Sequence, residues 1–317
     1  RIGVLDMSNR LFQGVVHQMR DTIDRTIGVV DDSGVVIACS ELPMIGQRWT
    51  EYVPVINNAA NAIVSHEGKT FKALSGWGNQ FDYATFAFGD NEISKTVCAM
   101  ASVTLNAAKV FGLDSYDIYG YGDARVPNDF EARELVARKI QEFEPDIIIT
   151  HRDCDYHVDH RTVGTLVKDC GYMLGCPHWI EGSKPLRRRP LILLMRDNFT
   201  VPRVMRPDIL VDVDPFIEKW CDALDCQVSQ FYEWLAWDKG VEDEVKAIGD
   251  RKVNIAGRNA YLMKYWGVRK TYDAKRFADA WREQYPGRAV PKMVEAYEIS
   301  EYGRPPIKED FDLLMGE

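Results

Sequence analysis

Six histidines occur in this chain of 317 residues, and four of them lie between positions 151 and 178. The densest stretch reads Thr150-His151-Arg152-Asp153-Cys154-Asp155-Tyr156-His157-Val158-Asp159-His160-Arg161. His157 and His160 stand three residues apart near an expected helix start, so their rings can converge on one point. Neutral imidazole is a common zinc ligand, and a neighbouring carboxylate can fix its tautomer and raise its basicity. Metal-assisted chemistry is one reading of the patch; a capped helix start carrying incidental histidines is the other. Within it, Asp153 and Asp155 are weak candidates for further ligands, and Cys154 is the one cysteine placed near this chemistry.

The elements around the patch put it where ligands bind. Pro145-Asp146 leads into a strand, Ile147-Ile148-Ile149-Thr150, and a helix is expected over His160 to Leu174. In open α/β sheets, ligands sit outside the carboxyl ends of strands. From Val110 onward strands and helices alternate, the pattern of a parallel α/β sheet. A short strand at Tyr116 to Tyr121 ends in Gly120-Tyr121-Gly122-Asp123, and a helix covers Asp129 to Phe143. Strands at Leu191 to Met195 and Ile209 to Val213 follow, then helical regions around Pro215 to Trp234 and Val253 to Tyr265. The tail, with Gly303, Pro305 and Pro306, is expected to wrap or fray.

Residues 1–109 have a different grammar. Leu11, Phe12, Val15, Val16, Met19 and Ile23 share one helical face. Ile27 to Val30, Asp31-Asp32-Ser33-Gly34 and Val35 to Cys39 make a hairpin, because Asp and Gly supply the turn. A helix around Val55 to Ser65, strands at Phe71 to Leu74 and Phe81 to Phe88, and a helix over Glu92 to Lys109 complete an α+β unit. Two domains are therefore expected, 1–109 and 110–317, in keeping with about 150 residues per domain.

Composition excludes several classes. The chain is 46% hydrophobic and 27% charged, which rules out a largely disordered or collagen-like protein. A net charge of -9 argues against non-specific nucleic-acid binding, which needs a Lys/Arg surplus. Arg187-Arg188-Arg189 reads as a solvated loop. No stretch approaches the ~20 apolar residues of a membrane span. The seven cysteines are scattered without a C-x-x-C pair, which suggests reduced thiols, and with no signal-peptide pattern the expectation is a cytoplasmic protein. Gly120-Tyr121-Gly122 lacks the third glycine of a dinucleotide motif, so NAD is not expected. Tyr232, Trp234 and Trp237 could line a sugar site, although at helical spacing core packing is the simpler expectation.

Two resemblances extend this reading. Pro145 to His151 followed by His157-Val158-Asp159-His160-Arg161 resembles the second motif of the LmbE family, which includes the PIG-L de-N-acetylases. Ala107 to Leu113, Gly120 to Asp123, Ser229-Gln230-Phe231 and Tyr297 to Pro305 are also similar, so the resemblance spans about residues 107–317. It implies a Rossmann-like α/β domain that uses zinc to hydrolyse an N-acetyl amide on a sugar or related small molecule. By it, His160 is a metal ligand, His157 stabilises the oxyanion and Asp159 orients His157. The first third of the chain is similar to GAF-like and sugar-diacid-recognition domains, through Ile23 to Asp31, Ile37 to Ser40 and Ile45-Gly46-Gln47. That implies a sensory or dimerising module, hence a homo-oligomer.

One departure weighs against activity. The LmbE family opens with a central strand followed by His-Pro-Asp-Asp-Glu, which supplies two more zinc ligands and the general base. No His-Pro-Asp-Asp occurs in this sequence. Val29-Val30-Asp31-Asp32 lacks the histidine and reads as a hairpin turn, and Cys226 stands where many relatives carry a histidine. A catalytic zinc normally has three protein ligands plus water. The alternative function is therefore a non-catalytic sensor with a degenerate LmbE-like domain. Either the sheet has a gap or another strand fills it.

Overall fold

The computed structural model describes residues 12–17, 19–20, 23–59, 62–74, 81–111, 119–249 and 253–315. Residues 116–118 of the expected strand at Tyr116 to Tyr121 lie outside them, and Tyr119 to Tyr121 are not in a strand. The chain packs as two units: Arg1–Gly120 with Phe216–Tyr265, and Tyr121–Pro215 with Trp266–Glu317. Both helix and strand are present in quantity, so the protein is mixed α/β.

In the first unit, β1 (Ile27–Asp31) and β2 (Val36–Cys39) pair antiparallel. Asp31 Oδ1 closes their turn by accepting from the backbone N–H groups of Ser33 and Val35 at 3.0 and 2.8 Å. Asp31-Asp32 is thus a turn, as its sequence indicates. β3 (Val64–His66), β4 (Lys69–Ala73) and β5 (Tyr83–Phe88) complete an antiparallel sheet in the order β2-β1-β5-β4-β3. The expected helix at Val55 to Ser65 is shorter: helix Val53–Asn58 stops, and β3 follows. Glu67 and Gly68, both at positive φ, form the two-residue turn that folds β3 back onto β4. On one face, Phe12, Val15, Val16 and Met19 pack with Cys98, Ala101 and Leu105 of helix Glu92–Phe111. The other face is filled by Trp49, Tyr52, Phe71 and Phe86. Helices Ile217–Asp225 and Ile255–Leu262 belong to this same unit.

The second unit carries the sheet that positions the histidines. β6 (Ile147–Thr150) and β7 (Leu191–Met195) pair parallel. β8 (Ile209–Asp212) does not join β7 directly. Between them lies β9 (Val294–Ile299), antiparallel to both, giving the order β6-β7-β9-β8. The sheet is therefore mixed rather than all parallel, and a central strand comes from Val294 to Ile299, just before the tail. Val294 to Ile299 alternates buried and half-buried positions, the period of a strand. The first four residues of β7 are buried, as both faces of a covered central strand require. At roughly 1.5–3 kcal/mol for each large aliphatic side chain buried, this strand anchors the sheet. Helices Phe130–Phe143 and Val158–Met173 cover one face through Ala137, Ile140, Cys170 and Leu174. Phe311 and Leu314 of helix Lys308–Met315 cover the other.

β6 ends the sheet among the described residues, and Ile149 on it is 46% exposed. The β1–β2 hairpin lies in the other sheet, so it does not supply a strand beside β6. No described helix is long and apolar enough to cross a membrane.

Candidate functional site

The histidine patch forms where β6 gives way to helix Val158–Met173. Thr150 is the last strand residue, residues 151–157 are the connection, and His157 is the N-cap residue of the helix. The connection is held by two arginine side chains. Arg152 is fully buried; its Nη1 donates to both carboxylate oxygens of Asp197 at 2.8 and 3.0 Å, and its Nη2 donates to Arg203 O at 2.8 Å. Arg161 donates to the carbonyls of Asp155 and Tyr156 at 2.6 and 3.2 Å. The helix also presses directly on the connection. A Cβ on Gly164 would stand 2.4 Å from His151 O, so only glycine permits the approach.

Two constellations result. In the first, ligand-type atoms of His151, Asp155 and His160 all lie within 4.8 Å of one another. Asp155 Oδ1 stands 2.9 Å from His160 Nδ1 and accepts from the backbone N–H of His157 at 2.9 Å. That places the His160 proton on Nδ1 and leaves Nε2 with its lone pair, the arrangement an outer carboxylate gives a metal-ligating histidine. The His151 and His160 rings are stacked, 4.1 Å apart and 11° from parallel. Burial, and next the neighbouring His160, hold His151 below the ordinary imidazole value and keep it neutral.

The second constellation is Asp123, His157 and Asp159. Asp159 accepts from the backbone N–H groups of Ala124 at 2.7 Å and Val126 at 3.0 Å, which ties the 120s loop to the helix start. Its carboxylate is 4.0 Å from His157 Nδ1, while Asp123 Oδ1 is 3.3 Å from His157 Nε2. His157 Nδ1 accepts from the backbone N–H of Asp159 at 3.3 Å, so the ring proton belongs on Nε2. His157 thus offers an N–H on the side where Asp123 stands, and Asp123 is 91% exposed. The His157 and His160 ring centroids are 5.1 Å apart.

His157, Asp159 and His160 gather at the carboxyl end of β6. Asp155 joins them; Asp153 does not, because its carboxylate pairs with Lys168 at 2.8 Å, which holds it below the usual carboxylate range. Burial pushes the Cys154 thiol up, the opposite of an activated nucleophile. His151 and Asp123 were not singled out from sequence. His151 directly follows a strand, and Asp123 closes a Gly-x-Gly-Asp turn; those were the signals available. Elsewhere, in the first unit, Tyr232 is buried and donates to Asp225 at 2.7 Å. Trp234 and Trp237 are exposed and stacked on each other rather than packed in a core.

Residues 67–170 match the family model of the PIG-L GlcNAc-PI de-N-acetylases. The match contains both constellations and ends inside the Val158–Met173 helix; Ser229 to Phe231 and the 297–305 tail lie beyond it. No curated protein matches the chain. Among solved structures the chain is similar to GalB, the 4-carboxy-2-hydroxymuconate hydratase from Pseudomonas putida KT2440. The identity is 16% and the TM-score 0.46, over 69% of this chain and 78% of that one. It is also similar to the N,N'-diacetylchitobiose deacetylase from Pyrococcus horikoshii, at 16% identity and TM-score 0.46, over 67% and 68% of the two chains. A third likeness is to the conserved protein TT1542 from Thermus thermophilus, at 21% identity and TM-score 0.41, over 66% and 74%. The likeness to GAF-like domains finds no counterpart in these comparisons.

The histidines of the PIG-L-like segment are of a type that suits zinc. Asp155, bonded to His160 Nδ1, lies on the far side of that ring from Nε2 and stands as its outer carboxylate, not as a further ligand. Orientation is the remaining requirement. An imidazole lone pair lies in the ring plane, so two near-parallel rings do not aim at one ion until one of them turns. His160 is pinned through Nδ1, so the ring that turns is His151.

Proposed function

We propose that the chain is a metal-dependent hydrolase of the de-N-acetylase type, acting on an N-acetylated sugar or a related small amide. The observation that carries this reading is the meeting of His157 and His160 at the carboxyl end of β6, inside the segment that matches PIG-L. His160 serves as a metal ligand through Nε2, its other nitrogen being held by Asp155. Zinc bound there supplies Lewis acidity toward the amide carbonyl and acidifies water near neutral pH. His157 donates its Nε2–H to the carbonyl oxygen as negative charge develops on it, the acceptor place that Asp123 holds otherwise. Asp159 orients His157 through the backbone, by fixing the helix start and the 120s loop that bears Asp123. Water oxygen bonds to the carbonyl carbon, the C–N bond breaks, and the proton lost by water ends on the departing amine.

The residue 1–109 segment is, in this reading, a GAF-like sensory or dimerising module that makes the protein a homo-oligomer. The catalytic reading is tested by incubating the zinc-supplemented protein with N-acetylglucosamine and its conjugates and measuring acetate and free amine. The expected result is the two products in equal amounts. His157→Ala should slow release by roughly 100–1000-fold, the cost of a lost oxyanion donor. If the zinc-loaded wild type releases no acetate from any of them, the degenerate, non-catalytic reading stands instead; the absent His-Pro-Asp-Asp motif favours that outcome.

A further inference from the structure

We propose that Tyr156 is the platform on which the pyranose ring of an N-acetylated sugar stacks, so that the chain takes cyclic sugars in preference to open-chain amides. The inference rests on the de-N-acetylase reading above and names its substrate class; it concerns binding and not turnover.

Three observations carry it. Tyr156 is 73% exposed although it lies inside the histidine patch, so it buries little surface and stabilises the fold little. Its ring centroid stands 5.8 Å from that of His157 and 5.2 Å from that of His160, with the planes near perpendicular at 70° and 79°. A molecule whose amide reaches His157 therefore meets the phenol ring within the span of a single sugar residue. The backbone on either side is fixed: Arg161 Nη1 donates to the carbonyls of Asp155 and Tyr156, and the His157 N–H donates to Asp155 Oδ1. The ring thus projects from a held position, and a tyrosine offers its contact area at low entropic cost.

Such a surface selects shape. The axial C–H groups of a pyranose make a flat apolar face that covers an aromatic ring while the hydroxyls stay in water at the rim. An open-chain polyol presents no such face. Trp234 and Trp237 are the other exposed aromatic pair, but their rings spend facing surface on each other, which makes Trp234 a suitable control position.

The test is saturation-transfer NMR on the zinc-supplemented full chain, with methyl N-acetyl-β-glucosaminide and its open-chain counterpart, N-acetylglucosaminitol. Wild type should bind the glycoside about 10-fold more tightly than the alditol, the size of one aromatic stacking contact. Saturation should concentrate on the axial ring protons. Tyr156→Ala and Tyr156→Leu should lose the preference by weakening the glycoside alone, while Tyr156→Phe keeps it. Trp234→Ala should bind both ligands as wild type does. Displaced histidines would weaken both ligands together, so the selectivity separates stacking from a merely structural role. Thermal melts check that each variant still folds. Failure of the wild type to bind the glycoside, or equal affinity for the two ligands, overturns the proposal. So does a preference that survives Tyr156→Ala or one lost through Trp234→Ala. Ring-selective binding without acetate release leaves Tyr156 standing and removes the catalytic reading. Acetate release from both compounds at equal KM, indifferent to Tyr156, does the reverse.

Discussion

Replacing Arg152 by Met should destabilise the protein by about 3 kcal/mol, and the structure sets that size. The guanidinium is fully buried between two acids that are themselves nearly buried, Asp197 and Glu298. Asp197 takes both of its oxygens to Nη1, whereas Glu298 lies 3.5 Å from Nε, an ion-pair contact rather than a hydrogen bond. Glu298 also pairs with Arg203 and Arg206, so it keeps cationic partners in the variant. Asp197 keeps the Phe199 N–H at 2.7 Å but no guanidinium. Breaking one side of a buried pair costs about 3–5 kcal/mol, and a single uncompensated carboxylate places this case at the lower end. A loss of that size is about two powers of ten in the folding constant. Urea denaturation at neutral pH measures it through the midpoint and slope. The pair Arg152→Met/Asp197→Asn should recover about half of the loss, because the orphaned charge is gone. A single-variant loss under about 1 kcal/mol, or no recovery in the pair, would refute the claim that this buried pair holds the connection after β6.

Gly164→Ala should cost about 1–3 kcal/mol, since its Cβ would meet the His151 carbonyl at 2.4 Å and backbone does not yield cheaply. A thermal melt unchanged from wild type would show that the helix does not press on His151 as described. Asp310 supplies a pH-dependent test: Arg304 donates to both of its oxygens at 2.6 Å and holds its carboxyl below the usual carboxylate range. A depressed folded value means the stabilisation is full above the unfolded value of ~3.9 and is lost as pH falls through the lower folded one. Asp310→Asn should therefore be less stable than wild type at pH 7, with the gap closing in acid; a gap that stays constant down to about pH 3 contradicts the pairing.

Local pattern made several elements legible. β7 is where its run of apolar residues indicates, and helix Phe130–Phe143 begins behind Asp129, whose side chain caps it by accepting from Ala132 N at 2.9 Å. Long-range pairing was not legible. Val294 to Ile299 alternates like a strand, but Glu295, Tyr297 and the Gly/Pro residues after it resemble a tail. Glu298, at 1% exposure, is buried there among three arginines: Arg152, and Arg203 and Arg206 from the segment before β8. That pairing across nearly a hundred residues leaves no local trace. β3 was hidden for a different reason. Val64-Ser65-His66 continues an apolar run from the helix before it, and the Glu67-Gly68 turn decides the matter only once β4 is in place.

The site shows the same division. His157-x-Asp-His160 at a strand's end is a short-range signal, and the structure gathers those residues there. The role of Asp159 was less accessible, since its acceptors' partners, Ala124 and Val126, come from more than thirty residues away. His151 was overlooked because a histidine closing a strand has no spacing of its own to argue from. The LmbE resemblance implies a central strand bearing His-Pro-Asp-Asp-Glu, and among the described residues β6 has no neighbour beyond β7. Ile149, on the strand that ends beside His151, is 46% exposed. The neighbours that His160 has here are local: Asp155 reaches its Nδ1 from five residues before it, and His151 stacks on its ring.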